Sequence, residues 1–376
     1  MLYVHIPFCK QRCIYCDFYS TTQSLLLTQS YIKAATNEME LRARNCLSPI
    51  LSSVYIGGGT PSLLPEEGIH QLFEGIRSNF SISPDAEITF EANPDDITPH
   101  LIDVLISEGV NRISLGIQSF NDSQLQLLRR RHSATQAKEA IQIIHSKGIQ
   151  HISIDLIYGQ PYQTIEAWKE DLMVALSQPI DHLSAYALSV EESTPLQRML
   201  KDKKLALPSD EVTFEMYSTL CDATKHAGFQ HYEISNFCRP NCHSRHNSGY
   251  WKGRPYIGIG PGAHSYDGTY RHYNPLNLHD YIASNGLMNR QSELLSENER
   301  CNDYIFTALR TSDGLDLNAF KAQFGAMRYK QILEWAQPHI NKNSLTLTNN
   351  ILQLTQVGIF VSNDIISDLM FLDENE

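Results

Sequence analysis

The chain has no apolar run approaching the roughly 18 residues that a membrane-spanning helix needs. The start, MLYVHIPFCKQRC, has a metal-type cysteine motif where a secretory leader would sit. A cytoplasmic location is the expectation. Cysteine is scarce, 8 in 376 residues, which excludes a disulfide framework. Basic charge is in deficit: Lys and Arg total 30 against 42 Asp and Glu, a net charge of −12. Binding through general attraction to phosphates is therefore disfavoured, and no nucleic-acid partner is expected. Internal repeats and low-complexity tracts are missing as well. With 42% apolar and 19% charged residues, the sequence has ample material for a buried core, and its length fits one large domain plus a smaller one.

Six short β-rich segments recur with helical stretches between them: Leu2 to Ile6, Val54 to Ile56, Glu87 to Ala92, Asn111 to Ile117, His151 to Ile157 and Leu183 to Val190. The gaps are long enough for crossover helices, and Thr98 to Glu108 and Ala134 to Lys147 carry apolar residues at helical spacing. That alternation predicts a parallel sheet with right-handed connections. Side-chain alternation sharpens the picture. Ile88, Phe90 and Ala92 alternate with Thr89, Glu91 and Asn93; Ile113, Leu115 and Ile117 with Ser114, Gly116 and Gln118; Ile152, Ile154 and Leu156 with Ser153, Asp155 and Ile157. Successive residues face opposite sides of a strand. A parallel sheet covered by helices on both sides would be apolar on both faces, so a small or polar second face points to strands that line a cavity. The alternative is a buried structural hydrogen-bond network. The expected fold is α/β: a partial, open parallel β/α barrel with a small C-terminal, mainly α, winged-helix-like domain.

Three stretches are expected: the barrel over 1–190, a loop-rich extension over 191–290 dense in Gly, Pro, Tyr, His and Asn, and the small domain over 291–376. The last contains a short β-like pair, Leu345 to Leu347 and Ile351 to Leu354. From Ser296 onward it carries 6 Lys and Arg against 11 Asp and Glu, which argues against a DNA role for such a shape.

The sharpest motif is HIPFCKQRCIYCDFYS, where Cys9, Cys13 and Cys16 form a C-x3-C-x2-C loop directly after the first expected strand. Zinc normally takes four ligands, often as two C-x2-C pairs, whereas three close thiolates suit an iron–sulfur cubane with one iron left open. A zinc or incidental role is the alternative. Barrel active sites gather at strand C-terminal ends, where this loop lies.

With Tyr15 just before the last cysteine, this loop resembles that of the radical S-adenosylmethionine (SAM) superfamily. YVHIPFC at Tyr3 to Cys9, GGGTPS at Gly57 to Ser62, FEANP at Phe90 to Pro94, GIQSF at Gly116 to Phe120 and DLIYGQP at Asp155 to Pro161 resemble its coproporphyrinogen III dehydrogenase family. The resemblance implies that Cys9, Cys13 and Cys16 hold three irons of a [4Fe-4S] cluster, that SAM chelates the fourth, and that an electron donor reduces the cluster. It places SAM contacts on Tyr3, Tyr15, Gly58, Gly59, Thr60, Glu91, Gln118, Arg130 and Asp155. Spacing from Gln118 selects Arg130 from the run Arg129 to Arg131. Independently, a triple glycine after a strand permits close backbone approach to a ligand, and Glu91, Gln118 and Asp155 lie on the polar strand faces.

Two features depart from the dehydrogenases. Their loop continues to a further cysteine two positions on, where this chain has Phe18, and they carry an extension ahead of YVHIPFC, whereas Tyr3 is already inside the motif here. A third feature, His246, Asn247, Tyr250 and Trp251 in an H-N-x2-Y-W pattern, resembles the haem chaperone branch of the family. In that branch the pattern is associated with haem binding. A neutral imidazole suits haem iron and aromatic rings suit a macrocycle face, so His246 is the expected axial ligand; a structural histidine in a packed Tyr/Trp loop is the alternative. Just upstream, Cys238-x3-Cys242 with His243 and His246 imitates a zinc site, and His264 is a further candidate ligand. Cys46, Cys221 and Cys301 read as core thiols.

The leading expectation is a haem chaperone that uses a [4Fe-4S] cluster and exchangeable SAM and passes haem to an acceptor protein, free or membrane-associated. A homodimer is compatible with it. The rivals are oxidative decarboxylation of coproporphyrinogen III to protoporphyrinogen IX and, more distantly, radical modification of RNA or protein.

Overall fold

The structure is a computed structural model and describes residues 1–22, 25–44 and 50–372. Nine strands make the main sheet: β1 (Leu2–Ile6), β2 (Ile50–Gly58), β3 (Ser81–Ala92), β4 (Arg112–Gln118), β5 (His151–Tyr158), β6 (His182–Ala187), β7 (Gln230–Glu233), β8 (Asn236–Cys238) and β9 (Ile257–Ile259). Their order is β7-β8-β6-β5-β4-β3-β2-β1-β9, with β7 and β9 at the two ends, so the barrel is open. Pairing is parallel from β9 through β6 and antiparallel at β6–β8 and β8–β7.

Helices α1 (Thr28–Arg44), α2 (Glu66–Asn79), α3 (Pro99–Ser107), α4 (Asp122–Leu127) with α5 (Ala134–Ser146), and α6 (Ile165–Leu176) make the crossovers from β1 to β6. Thr98 and Thr164 cap α3 and α6, and Ser133 with Gln136 forms a capping box on α5, satisfying amides that the first helical turn leaves free. The alternation anticipated in the sequence is present: Phe90, Ile113, Leu115, Ile152, Ile154 and Leu156 are fully buried against these helices. Their polar neighbours line the barrel's interior cavity.

The expectation of six strands is corrected to nine in this sheet. The three additions are only three or four residues long, and all fall within 191–290. That stretch also supplies α7 (Pro195–Lys201), α8 (Asp210–His226) and α9 (Arg245–Trp251), and α9 leads into β9 beside β1. The sixth strand ends at Ala187 instead of Val190, where the side chains become exposed.

Beyond β9, the strands β10 (His264–Tyr266), β11 (Tyr270–Tyr273) and β12 (Gln291–Leu294) form a small antiparallel sheet, with α10 (Leu278–Ala283) inserted before β12. A second core follows. It joins α11 (Glu297–Leu309), β13 (Leu315–Asp316), α12 (Leu317–Asn341) and the hairpin of β14 (Leu345–Thr348) and β15 (Ile351–Leu354) around Ile305, Phe320, Ile332 and Leu352. Among the described residues every cysteine is a free thiol; Cys301 is buried, Cys221 is half-buried, and Cys46 lies outside the described residues.

Candidate functional site

The loop after β1 carries Cys9, Cys13 and Cys16 to the rim of a cavity of about 410 Å³ that runs down inside the barrel. Backbone bonds fix the loop: Cys9 N donates to Thr21 O (2.9 Å), Ile14 N to Leu128 O (3.3 Å) and Leu196 N to Ile14 O (2.9 Å). Ile14 is buried with Leu128 and Leu196 in a small apolar cluster of its own. The three half-buried thiols therefore face the cavity from an anchored support. Thr60 Oγ1 approaches Cys9 Sγ at 3.5 Å and Arg130 Nη1 approaches Cys13 Sγ at 3.4 Å. A neutral and a cationic donor beside sulfur suit thiolates that share a metal cluster.

The three glycines after β2 answer to the chain itself. A Cβ on Gly59 would lie 2.6 Å from Phe8 O, one on Gly58 would lie 2.5 Å from the His5 ring, and one on Gly57 would lie 2.7 Å from the Glu91 carboxylate. Gly58 also has a φ of 109°, a conformation that favours glycine. Close packing of the loop against β1 is what demands glycine here, and it brings the Gly58 amide within 3.0 Å of Glu91 Oε2.

Eight of the nine expected SAM-contact residues line the cavity: Tyr15, Gly58, Gly59, Thr60, Glu91, Gln118, Arg130 and Asp155. Tyr3 is not on its wall; its hydroxyl is hydrogen-bonded to His5 Nδ1 at 2.9 Å. The arginine run separates by surroundings. Arg129 is exposed at a φ of 58°, Arg131 pairs with Asp95 (2.8 Å) and Asp96 (3.0 Å), and Arg130 enters the cavity, bonded to Asn93 Oδ1 (2.6 Å) and to Gly116 O. Gln118 has a φ of 74° where the β4–β5 register shifts, a bulge that re-aims the strand end at the cavity.

Two carboxylates define the electrostatics. Burial raises the pKa of Glu91, opposed by hydrogen bonds from the Tyr55 hydroxyl (2.7 Å) and the Gly58 amide. Burial pushes Asp155 up to about 7, with Ser184 and Arg130 opposing and Glu91 reinforcing. Deeper in, Thr89 Oγ1 and Arg112 Nη1 are buried without a hydrogen-bond partner, as is Arg130 Nε. The carboxylates suit hydroxyl and ammonium donors and the unpartnered arginine N–H groups suit an acceptor such as a carboxylate, so the wall fits a polar ligand that carries both kinds of group. The donor set and this wall thus fit a [4Fe-4S] cluster with SAM.

Sequence reasoning passed over Tyr55, Arg112, His182, Ser184 and Tyr186, which share the cavity. They occupy inward alternate positions on β2, β4 and β6, and that period was the available signal.

The H-N-x2-Y-W segment is α9, and it lies across the barrel's lower end. Glu87 accepts from the backbone amides of Arg245 (3.0 Å) and His246 (2.9 Å) and from Arg112 Nε (3.0 Å), while Arg112 Nη2 donates to Cys242 O at 2.9 Å. This buried pair thus fastens both the helix start and the loop before it. Asn247 lines the barrel cavity, whereas Trp251 lines a separate cavity of about 470 Å³ with Tyr232 and His243, its ring 5.4 Å from the Arg310 guanidinium. His246 is buried, and both its ring nitrogens are engaged: Nδ1 with Ser53 Oγ at 2.8 Å and Nε2 with the Tyr250 hydroxyl at 2.9 Å. Burial, with the chain's amino terminus adding, pushes its pKa down to about 3, so the ring is neutral.

The open barrel and the three-thiol loop define a radical SAM protein. The radical SAM superfamily pattern matches residues 3–174, and that of the HemN C-terminal domain matches residues 295–361. The structure of coproporphyrinogen III oxidase (HemN) from Escherichia coli, a radical SAM enzyme, superposes with a TM-score of 0.85 over 98% of this chain and 89% of that one; at 24% identity the likeness is one of fold. Heme chaperone HemW of Mycobacterium tuberculosis is 40% identical over 276 residues, 73% of this chain and 71% of that protein. Heme chaperone HemW of Lactococcus lactis is 32% identical over 378 residues, 99% of this chain and 98% of that protein. The chain belongs to the HemW family within the radical SAM superfamily. Among the described residues no helix is long and apolar enough to cross a membrane.

Proposed function

We propose that this protein is a cytoplasmic haem chaperone: it binds haem, holds a [4Fe-4S] cluster on Cys9, Cys13 and Cys16 with exchangeable SAM in the barrel cavity, and delivers haem to an acceptor protein. The observation that carries this reading is the position of α9, which bears His246, Asn247, Tyr250 and Trp251 and reaches the cavity of the three thiols through Asn247. It is supported by relatives at 32 to 40% identity that are named haem chaperones.

The cluster, when reduced, supplies one electron to the sulfonium of SAM. Glu91 and Asp155 accept hydrogen bonds from the bound ligand, Arg130 offers its unpartnered Nε, and the Gly57–Gly59 turn sets the rim. Haem binds along α9. Ligation of iron by His246 requires the Tyr250 hydroxyl to release Nε2. His243, whose ring nitrogens make no hydrogen bond among the described residues, faces the cavity beside Trp251 and needs no such release.

Anaerobic titration of the cluster-loaded protein with haem tests the reading. A Soret change that saturates at one haem per chain supports it, and no saturable change overturns it. Incubation with SAM, a low-potential reductant and coproporphyrinogen III tests the rival; protoporphyrinogen IX formed at the rate of a known dehydrogenase would replace the chaperone reading with the enzymatic one.

A further inference from the structure

We propose a second metal site, formed by His151, Asp181 and Cys242 at the end of the barrel opposite the cysteine loop, that takes one divalent ion of the zinc type. One ligand atom from each of the three residues lies within 4.8 Å of the others. The residues come from three places in the chain: the first position of β5, the residue before β6, and the loop between β8 and α9.

Two of the three donors are held by the structure around them. Asp181 Oδ1 accepts from Ile152 N at 2.9 Å, which fixes the carboxylate and leaves Oδ2 facing His151 Nδ1 at 2.5 Å. The Cys242 loop is tied down on both sides: Arg239 N donates to Asp181 O (2.8 Å), Cys242 N donates to Arg239 O (3.0 Å), and Arg112 Nη2 donates to Cys242 O (2.9 Å). Asn241, at a φ of 67°, makes the turn that presents the thiol. Oriented ligands of this kind are what metal sites require from their surroundings.

The donors are an imidazole nitrogen, a carboxylate oxygen and a sulfur, a mixed set that zinc accepts at about 2.0 to 2.3 Å. Tetrahedral coordination at those lengths separates ligand atoms by roughly 3.2 to 3.8 Å. His151 and Asp181 therefore open by about 1 Å to admit the ion, and the Cys242 thiol gives its proton to solvent. The His151 side chain is 39% exposed, so water can take the fourth position.

The zinc-like spacing in the sequence joined Cys238 and Cys242 to His243 and His246. The structure takes the two histidines away: His246 turns to Ser53 and Tyr250 and His243 packs on Tyr232, while Cys238, buried opposite His182 in β8, stays beside the Cys242 backbone. Cys242 meets instead two residues remote from it in sequence. An ion there links β5, the approach to β6 and the loop that launches α9.

The test uses Zn²⁺ on the anaerobic protein with its cluster intact, so that Cys9, Cys13 and Cys16 are already engaged. The expected result is one zinc per chain after gel filtration, measured by mass spectrometry of the metal. Cys242→Ser and His151→Gln should each weaken binding at least tenfold while cluster content and far-ultraviolet dichroism stay unchanged. Co²⁺ should give a sulfur-to-metal charge-transfer band in the difference spectrum that Cys242→His abolishes while still binding the ion. Absence of zinc beyond the cluster-bearing background, or equal zinc in wild type and Cys242→Ser, would overturn the proposal.

Discussion

The Tyr55 hydroxyl donates to Glu91 Oε1 at 2.7 Å, and the same ring lies 5.1 Å from that of His246. One side chain of β2 thus touches both the carboxylate wall of the barrel cavity and the haem-motif histidine. Tyr55→Phe removes the hydroxyl and keeps the ring. SAM affinity should fall about tenfold, the equivalent of about 1.4 kcal/mol and the scale of a hydrogen bond to a charged group, while haem affinity stays within twofold. Equilibrium dialysis of SAM and a haem titration on the same preparation check both halves.

The two histidines near α9 make separable predictions. If iron is taken by the free ring, His243→Ala lowers haem affinity at least tenfold and shifts the Soret band, whereas His246→Ala changes affinity little. The reverse pattern assigns iron to His246 after release from Tyr250. Haem titrations of both variants, with cluster content as the control for folding, decide between them.

The raised pKa of Asp155 sets a pH dependence whose sign is fixed. Folded, the group titrates near 7, above the ordinary carboxyl value of 3.8, so the folded chain holds a proton that the unfolded chain releases. Its contribution to stability is therefore fully present below about 3.8 and is lost progressively as pH rises from there through about 7. Glu91, Arg130, Tyr186 and Ser184 are the groups around it. Without SAM, Asp155→Asn should raise the Tm at pH 8 by about 2 °C or more and by clearly less at pH 5, where only part of the window between 3.8 and about 7 has been crossed. Thermal scans between those values measure the difference.

Arg112 and Glu87 form a buried pair at 3.0 Å that also holds the approach to α9. Arg112→Met leaves the Glu87 carboxylate without its cation and should destabilise the protein by about 3 kcal/mol. Adding Glu87→Gln should restore part of that loss, because the uncompensated charge goes with it. Urea denaturation of the single and double variants provides the cycle.

Much of the barrel was legible because β3, β4 and β5 alternate over enough residues to separate a helix-facing side from a cavity-facing side. The choice of Arg130 over Arg129 and Arg131 rested on the family resemblance, counted from Gln118; among the three, Arg130 lines the cavity. Strands β7, β8 and β9 were not legible. Segments of three or four residues carry too little period, and their pairing is set by neighbours far away in sequence. Tyr55 was missed for the related reason that β2 was read only as Val54 to Ile56, too short to show which side Tyr55 faces. For α9 the motif was visible but its orientation was not. In a helix, residues 246 and 250 share one side and 247 and 251 another, and only the position of β2 settles that His246 points inward, to Ser53.

That orientation makes α9 a wall shared by two cavities. Asn247 is seen from the room that holds the thiols, Trp251 from the room beside the second core, and Tyr250 latches His246 between them. Because Asn247 and Trp251 belong to one short helix, a substitution that unseats α9 alters the lining of both cavities at once.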